Sequence, residues 1–240
     1  MTSPLPFDGR LALVTGATRG IGRAVALLLA QGGAHVIATG RTAGALEELD
    51  DAIQKSGRGP ATLVPMDLRQ HEAIDRLGGT IFERWQRLDI LIGNAGVLGP
   101  LTPVAQIEPK AFAELLDVNL TANYRLIRSM DPLLRLSRDG RALFLTSGAA
   151  GRHRPYWGGY AMTKAALEDL VLTYAAEAAS SGVKVNLYNP GATRTAMRAK
   201  AMPGEDPASL PTAETVAAHL VGVLTRDDAR SGEIIAFRGT

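Results

Sequence analysis

The sequence predicts an α/β fold in which one doubly wound parallel sheet of about seven strands carries helices on both faces, built by a single domain spanning residues 1–240. Three observations predict it. Short apolar runs rich in β-branched residues alternate with amphipathic stretches almost without exception. Parallel strands need crossovers, and helices usually supply them. The apolar runs also lack a polar residue at every second position, as expected of strands covered on both faces. Finally, 46% of the 240 residues are hydrophobic and 21% charged. Such a chain can bury one sizeable core, and no linker, repeat or low-complexity tract divides it.

The elements follow in order. Residues 11–15 read as the first buried strand, and residues 21–31 as a helix with small and aliphatic side chains at helical spacing. Strand 35–39, helix 43–55, strand 61–65, helix 71–86 and strand 88–93 continue the alternation. A long helix covers 109–130. Strand 142–146, helix 159–180 and strand 183–188 come next. A polar loop over 191–211 is the candidate substrate loop. Helix 213–224 and strand 233–237 close the series. Ligands of such sheets bind at the carboxyl ends of the strands, near the point where strand order reverses.

Composition excludes several classes of chemistry. There is no cysteine, so disulfides, thiolate catalysis and Cys-ligated metals are ruled out. The four histidines are scattered without metal-ligand spacing, and no metal site is expected. The 26 Lys and Arg are dispersed and the net charge is +2, which argues against a nucleic-acid face. No apolar stretch reaches the roughly 18–20 residues of a membrane span. The first ten residues lack a charged region followed by an apolar one, so no signal peptide is expected and the compartment is the cytoplasm.

Between the first strand and the first helix lies Thr15-Gly16-Ala17-Thr18-Arg19-Gly20-Ile21-Gly22. Glycines permit a tight turn and close approach of a diphosphate, which the helix N-terminus then meets with unpaired N–H groups. Gly22 allows close packing of helix on sheet. The alternative reading is a glycine turn that serves packing alone. Further on, Tyr160 and Lys164 lie four residues apart on one helix face. A cation there favours the phenolate and lowers the tyrosine pKa, which suits proton exchange with a substrate oxygen. The alternative is a solvated helix face. Ser147 follows strand 142–146, thirteen residues before Tyr160. It can reach the same cleft, or serve as a turn residue or cap.

The glycine loop, Asn94-Ala95-Gly96, Asn119, Ser147, the Tyr160/Lys164 pair and Pro190-Gly191 together resemble the short-chain dehydrogenase/reductase pattern, from Leu11 to Phe237. Within that family, the run from Asn189 to Arg198 and Glu205-Asp206-Pro207 resemble YciK-type bacterial oxidoreductases. The resemblance implies a Rossmann-like domain and hydride transfer between a nicotinamide cofactor and a carbonyl or alcohol. It implies Tyr160 as general acid or base, Lys164 as its pKa-lowering partner and ribose contact, and Ser147 as the group orienting substrate. Asn119 would hold a water relaying protons from Lys164. Asp67 would contact adenine, with Leu68 contributing backbone; the alternative for Asp67 is an N-cap of the following helix. Asn94, Ala95 and Gly96 would line the adenosine ribose and diphosphate. Thr193 and Thr195 would meet the carboxamide and diphosphate, or be ordinary loop threonines. One departure is Gly93, where the family often has asparagine, and looser local packing is expected there.

The cofactor reading favours NADP(H) over NAD(H). The second strand ends Ala38-Thr39-Gly40-Arg41 without the acidic residue that binds a ribose 2′-hydroxyl. Arg41, seconded by Arg19, can bond a 2′-phosphate, although in an Arg-rich chain either could be a plain surface residue. Around the substrate, Val97, Leu98, Tyr156, Trp157, Met197 and Met202 suggest an adaptable apolar pocket, or else loop packing. Arg152, Arg154 and Arg198 either attract an acidic substrate or are solvated. His153 reads as a surface residue. The helix after Tyr160 is apolar beyond one stripe, consistent with a homodimer or homotetramer. The alternative function is a non-catalytic NADP-binding redox sensor, which would need the glycine loop but not the tyrosine.

Overall fold

The computed structural model describes residues 5–56 and 59–238; the expectation about the N-terminus rests in part on residues 1–4, outside those described. Seven strands form one sheet: β1 (Leu11–Val14), β2 (His35–Gly40), β3 (Ala61–Pro65), β4 (Ile90–Gly93), β5 (Arg141–Leu145), β6 (Lys184–Asn189) and β7 (Ile234–Ala236). Their order is β3-β2-β1-β4-β5-β6-β7, and every pairing is parallel. The helices are α1 (Gly20–Gln31), α2 (Ala43–Lys55), α3 (His71–Trp85), α4 (Pro109–Leu116), α5 (Ala122–Arg135), α6 (Gly158–Ala178), α7 (Ala196–Ala201) and α8 (Ala213–Gly222).

Both faces of the sheet are covered, and β1 shows why the strands read as unbroken apolar runs. Ala12 and Val14 enter a core with Leu29 of α1, Leu49 of α2 and Leu220 of α8. Leu11 and Leu13 enter the opposite core with Ile74 of α3, Met130 of α5 and Val171 of α6. Successive side chains point to opposite faces, so each must be apolar. Strand order runs one way from β1 to β3 and the other way from β4 to β7. The loops after β1 and β4 therefore diverge and open a crevice at the strands' carboxyl ends.

Two predicted elements differ. The helix expected over 109–130 is broken into α4 and α5 by a π-turn at Asp117–Thr121. The wide turn carries Asn119 inward, fully buried. Its Oδ1 accepts from the Val97 N–H at 2.8 Å and its Nδ2 donates to the Val97 carbonyl at 2.9 Å. That two-way bond to a distant peptide has no periodic signal, and π-turns of this kind cluster at functional sites. The second helix also continues past Pro132, held by the burial of Leu133 and Leu134. The loop expected over 191–211 contains α7 and a 3₁₀ turn, Pro207–Ser209. Thr195 caps α7 by accepting from the Arg198 N–H at 3.2 Å, and Arg198 grips Glu205 at 2.5 and 2.6 Å. The remaining boundaries shift by two residues at most, the usual fraying of element ends.

The opposite rim of the sheet is sealed by charge. Arg10 and Arg141, 3% and 4% exposed, both pair with Asp139. Arg10 also donates to the Leu224 carbonyl at 2.9 Å, and Arg141 to the Asp228 carbonyl at 2.7 Å.

Loose packing at Gly93 is not found. A Cβ there would lie 2.3 Å from Phe144 Cδ1 and 2.8 Å from Asn123 Oδ1, so those two side chains already fill the space. Gly93→Ala is expected to overpack the core and cost about 1–3 kcal/mol. A urea midpoint equal to that of the parent would contradict this account.

Candidate active site

A cavity of about 590 Å³ occupies the crevice, lined by residues that follow β1, β2, β3, β4, β5 and β6. Its floor is tied across the switch point by Asn94, the first residue past β4. Asn94 Nδ2 donates to the Thr15 and Gly16 carbonyls at 2.8 and 3.2 Å. The N–H groups of Asn94 and Ala95 donate to Thr15 Oγ1 at 3.0 and 3.1 Å. Gly22 lies beneath this clamp: a Cβ there would stand 2.3 Å from Asn94 Nδ2 and 2.4 Å from the Gly16 carbonyl oxygen. The sequence reading assigned Gly22 to close helix packing, and its neighbours are the clamp itself.

All residues expected at the cofactor line this cavity except Gly22, Gly191 and Thr193. Gly191 sits in an exposed turn whose N–H donates to Asn189 Oδ1 at 3.1 Å. Thr193 is buried and its hydroxyl donates to the Pro190 carbonyl at 3.1 Å. It supports the turn from behind rather than facing the cavity. Asp67 lines the cavity, but both carboxylate oxygens accept from Arg69 Nε, at 3.1 and 3.0 Å. Those bonds, then the neighbouring charges of Arg69 and Arg41, hold its pKa below the usual carboxylate value. Asp67 does not cap α3, whose N-cap is Gln70.

The residues fit a dinucleotide phosphate. Gly16 and Gly20 have φ of +65° and +55°, and no side chain caps α1, which leaves its first N–H groups free for an anion. Among the described residues, the guanidinium groups of Arg19 and Arg41 make no ion pair or hydrogen bond, and Asp67 is a nearby charge for Arg41, so both cations are available at the cavity wall. The Thr39 hydroxyl, also at this wall, is buried without a hydrogen-bond partner. A buried orphan hydroxyl is costly, and a polar ligand in the cavity is one way to satisfy it.

Tyr160 and Lys164 line the same cavity from the first turns of α6. Ser147 is not part of the cavity lining; its hydroxyl accepts from the Ala149 N–H at 3.2 Å, which makes it a turn residue, and its nearness to the Tyr160 phenol favours the phenolate. The electrostatics correct one expectation. Burial raises the Tyr160 pKa, and the nearby Ser147 hydroxyl opposes that rise. Lys164 Nζ donates to the Leu145 carbonyl at 2.8 Å and lies 5.9 Å from the phenol ring centre. Burial in turn lowers Lys164 to about 8.

Asn119 lies outside the cavity wall. Both Nδ2 hydrogens are committed, to the Val97 carbonyl and, at 3.0 Å, to Thr163 Oγ1. Its amide N–H groups are thus not free to donate to a relay water, and the side chain holds the Val97 peptide by both its donor and its acceptor.

Several lining residues escaped the sequence reading: Thr39, Met66, Val118, Arg194 and the start of α8 at Thr212–Glu214. Arg194 and Thr212 form a parallel bridge that draws α8 to the substrate loop, and nothing local signals that pairing. A hydroxyl ending the apolar run of β2 was the visible sign at Thr39. On the substrate side, Trp157 meets Tyr160 edge-on at 6.2 Å and Arg154 lies over Trp157 at 5.5 Å. Arg198 is paired with Glu205, and Arg152, His153 and Tyr156 are exposed. His153 and Tyr156 have φ of +49° and +73°, a strained backbone of the kind that gathers at functional sites. Met202 lies outside the main cavity, behind α7. Among the described residues there is no cluster of metal-ligating side chains, and no helix is long and apolar enough to cross a membrane.

A crevice at the switch point, glycines beneath it and a tyrosine–lysine helix beside it define a doubly wound dinucleotide-binding type of fold. A family model described as short chain dehydrogenase matches residues 10–206, and the chain belongs to that family. Its relatives include the oxidoreductase YciK of Escherichia coli (strain K12), 39% identical over 210 residues that cover 86% of this chain and 82% of the relative. A short chain dehydrogenase from Shigella flexneri 2a str. 301, complexed with NADP, has a TM-score of 0.91 at 33% identity, covering 98% of this chain and 99% of that one. Another from Escherichia coli CFT073, complexed with NADPH, has a TM-score of 0.92 at 34% identity, covering 98% of both chains.

Asn94→Ala is expected to leave the Thr15 and Gly16 carbonyls short of a donor. The loss is about 1–3 kcal/mol of stability, together with weakened dinucleotide binding. Parent-like values in both thermal denaturation and NADPH titration would remove Asn94 from this role.

Proposed function

We propose that the protein is an NADP(H)-dependent reductase or dehydrogenase acting on a carbonyl or alcohol, with Tyr160 as general acid in reduction and general base in oxidation. The observation that carries the reading is that one cavity holds the uncapped start of α1, two unpaired arginines and the Tyr160/Lys164 pair. NADP or NADPH in the complexes of two structural relatives supports the choice of cofactor. When bound, the nicotinamide supplies or accepts the hydride.

The chain's own residues supply the rest. The α1 start and the glycine loop seat the diphosphate, and Arg41 with Arg19 meets the 2′-phosphate through charge-assisted bonds. Lys164 lies one helical turn from Tyr160 and serves the ribose beside the nicotinamide. Ser147 and the phenol converge on the substrate oxygen. Because burial raises the phenol pKa, Tyr160 keeps its proton near neutrality, as a donor to a carbonyl oxygen must. The nearby Ser147 hydroxyl favours the phenolate and so eases release of that proton. Val97, Val118, Met197 and Trp157 surround the place where substrate meets the phenol, which favours a mainly apolar carbonyl compound. A homodimer or homotetramer is part of this reading, supported by the apolar positions Met162, Leu170 and Leu172 that α6 leaves only half-buried. A cytoplasmic location completes it.

Tyr160→Phe is expected to fold and bind NADPH while turnover of a responsive aldehyde, ketone or 3-oxoacyl compound falls by roughly 10²–10⁴. NADPH absorbance follows the loss, and undiminished turnover would take the phenol out of the mechanism and return the redox-sensor reading. Arg41→Ala is expected to weaken NADPH binding about tenfold, roughly 1.4 kcal/mol, and NADH binding far less. Equal losses in a fluorescence titration would place Arg41 away from the 2′-phosphate.

A further inference from the structure

Tyr160, Lys164 and Glu168 follow one another at intervals of four along α6, so they form one stripe on the helix. The last residue of β5 and its successor receive the second and third members. Lys164 Nζ donates to the Leu145 carbonyl at 2.8 Å, and Glu168 Oε1 accepts from Thr146 Oγ1 at 2.6 Å. Two adjacent residues at the strand end thus fasten two successive turns of the helix. Lys164 is only 4% exposed. On the helix itself its neighbours at four-residue spacing are Tyr160 and Glu168. From the strand it is faced by the Leu145 carbonyl, and from the loop after β4 by Gly96, where a Cβ would stand 3.7 Å from Nζ. That same Cβ would stand 3.2 Å from Asn119 Oδ1, which brings the amide of the π-turn to this side as well. Among these groups Glu168 is the carboxylate.

We infer that Glu168 is a positioning residue for the reaction, and that its carboxylate, fixed by Thr146, keeps the buried Lys164 ammonium charged at the cavity wall. The inference rests on the proposed role of Lys164 as the ribose contact. An isolated ammonium out of water tends to shed its proton. Burial already brings Lys164 down to about 8, and Glu168 is the charge that opposes the fall. The sign follows. A lysine with a lowered pKa loses its charge as pH rises through that value, so NADPH binding should weaken on the alkaline side of about 8. Removing the carboxylate lowers the pKa further and brings that weakening to lower pH. The Thr146 bond has a separate duty: it stops the carboxylate from swinging to solvent, where water would screen it.

The test is NADPH affinity by fluorescence titration from pH 6.5 to pH 10, on the full chain. Glu168→Gln keeps an acceptor for Thr146 and removes the charge. Its alkaline decline should move toward acid by about one pH unit, the smallest shift typical of a nearby charge. Glu168→Asp keeps the charge and should hold the parent profile to within a few tenths of a unit. Thr146→Val, which frees the carboxylate, should shift the decline in the same direction as Glu168→Gln but less. A decline that stays in place in Glu168→Gln overturns the inference, because a purely structural glutamate would change affinity or melting temperature evenly across pH. Lys164→Ala separates this failure from failure of the underlying role. If Lys164→Ala binds NADPH like the parent at every pH, the lysine is not a cofactor contact and both readings fall. If Lys164→Ala is weak at neutral pH while Glu168→Gln keeps the parent profile, only the inference falls.

Discussion

The contact on which the site depends is the bond from the Lys164 ammonium to the Leu145 carbonyl. A strand's last carbonyl lacks the ladder partner that earlier ones have, and here a buried side chain supplies the donor. The bond fixes the distance between α6 and the end of β5. One turn earlier on the helix it thereby sets Tyr160, and on the strand side Ser147, at the same end of the sheet. Asn119 does the corresponding work from the other flank, holding the Val97 peptide by both its donor and its acceptor. Two side chains of the site are therefore anchored to main chain, which rotates far less readily than other side chains do.

Burial acts in opposite directions on the two titratable groups. It raises the tyrosine and lowers the lysine, and in both cases it favours the neutral form. A simple expectation of a depressed phenol pKa beside a lysine ignores this common desolvation. The helix spacing does place the two residues on one face, but the ammonium donates to a carbonyl. The phenol therefore tends to be a proton donor and the ammonium a marginal cation. Interactions with neighbours, Ser147 for one and Glu168 for the other, decide how far each departs from neutrality.

What was legible in the sequence follows the same division between local and distant causes. The strands and most helices are written in local hydrophobic period, and α2 and β3 match their predicted spans residue for residue. The glycine loop and the tyrosine–lysine pair were visible because their spacing is local. The break at Asp117–Thr121 was not, because it exists for the sake of a bond to Val97, 22 residues away. Nor was the fit at Gly93: the missing side chain is replaced by Phe144 from the neighbouring strand, a compensation that only the register reveals. Glu168 carried no signal in the sequence, because its partner Thr146 lies 22 residues away on the strand end. The α8 start joins the cavity through a bridge between Arg194 and Thr212, again a pairing set by tertiary structure.

The two rims of the sheet also differ in how completely their polar groups are paired. At the amino-terminal rim, Arg10 and Arg141 are buried with aspartate and carbonyl partners. Buried charges left unpaired there would be severely destabilising, and these two arginines are held by protein partners. At the carboxyl-terminal rim the uncapped first turn of α1 and the residues Arg19, Arg41 and Thr39 line the cavity; among the described residues the two guanidinium groups make no ion pair or hydrogen bond, and the Thr39 hydroxyl is buried without a partner. A protein that paired these groups internally would hold its empty state more firmly and its ligand less. The same asymmetry explains why the glutamate at α6 matters: on the unpaired rim a single carboxylate can set the charge of a neighbour, whereas on the paired rim its effect would be lost among many.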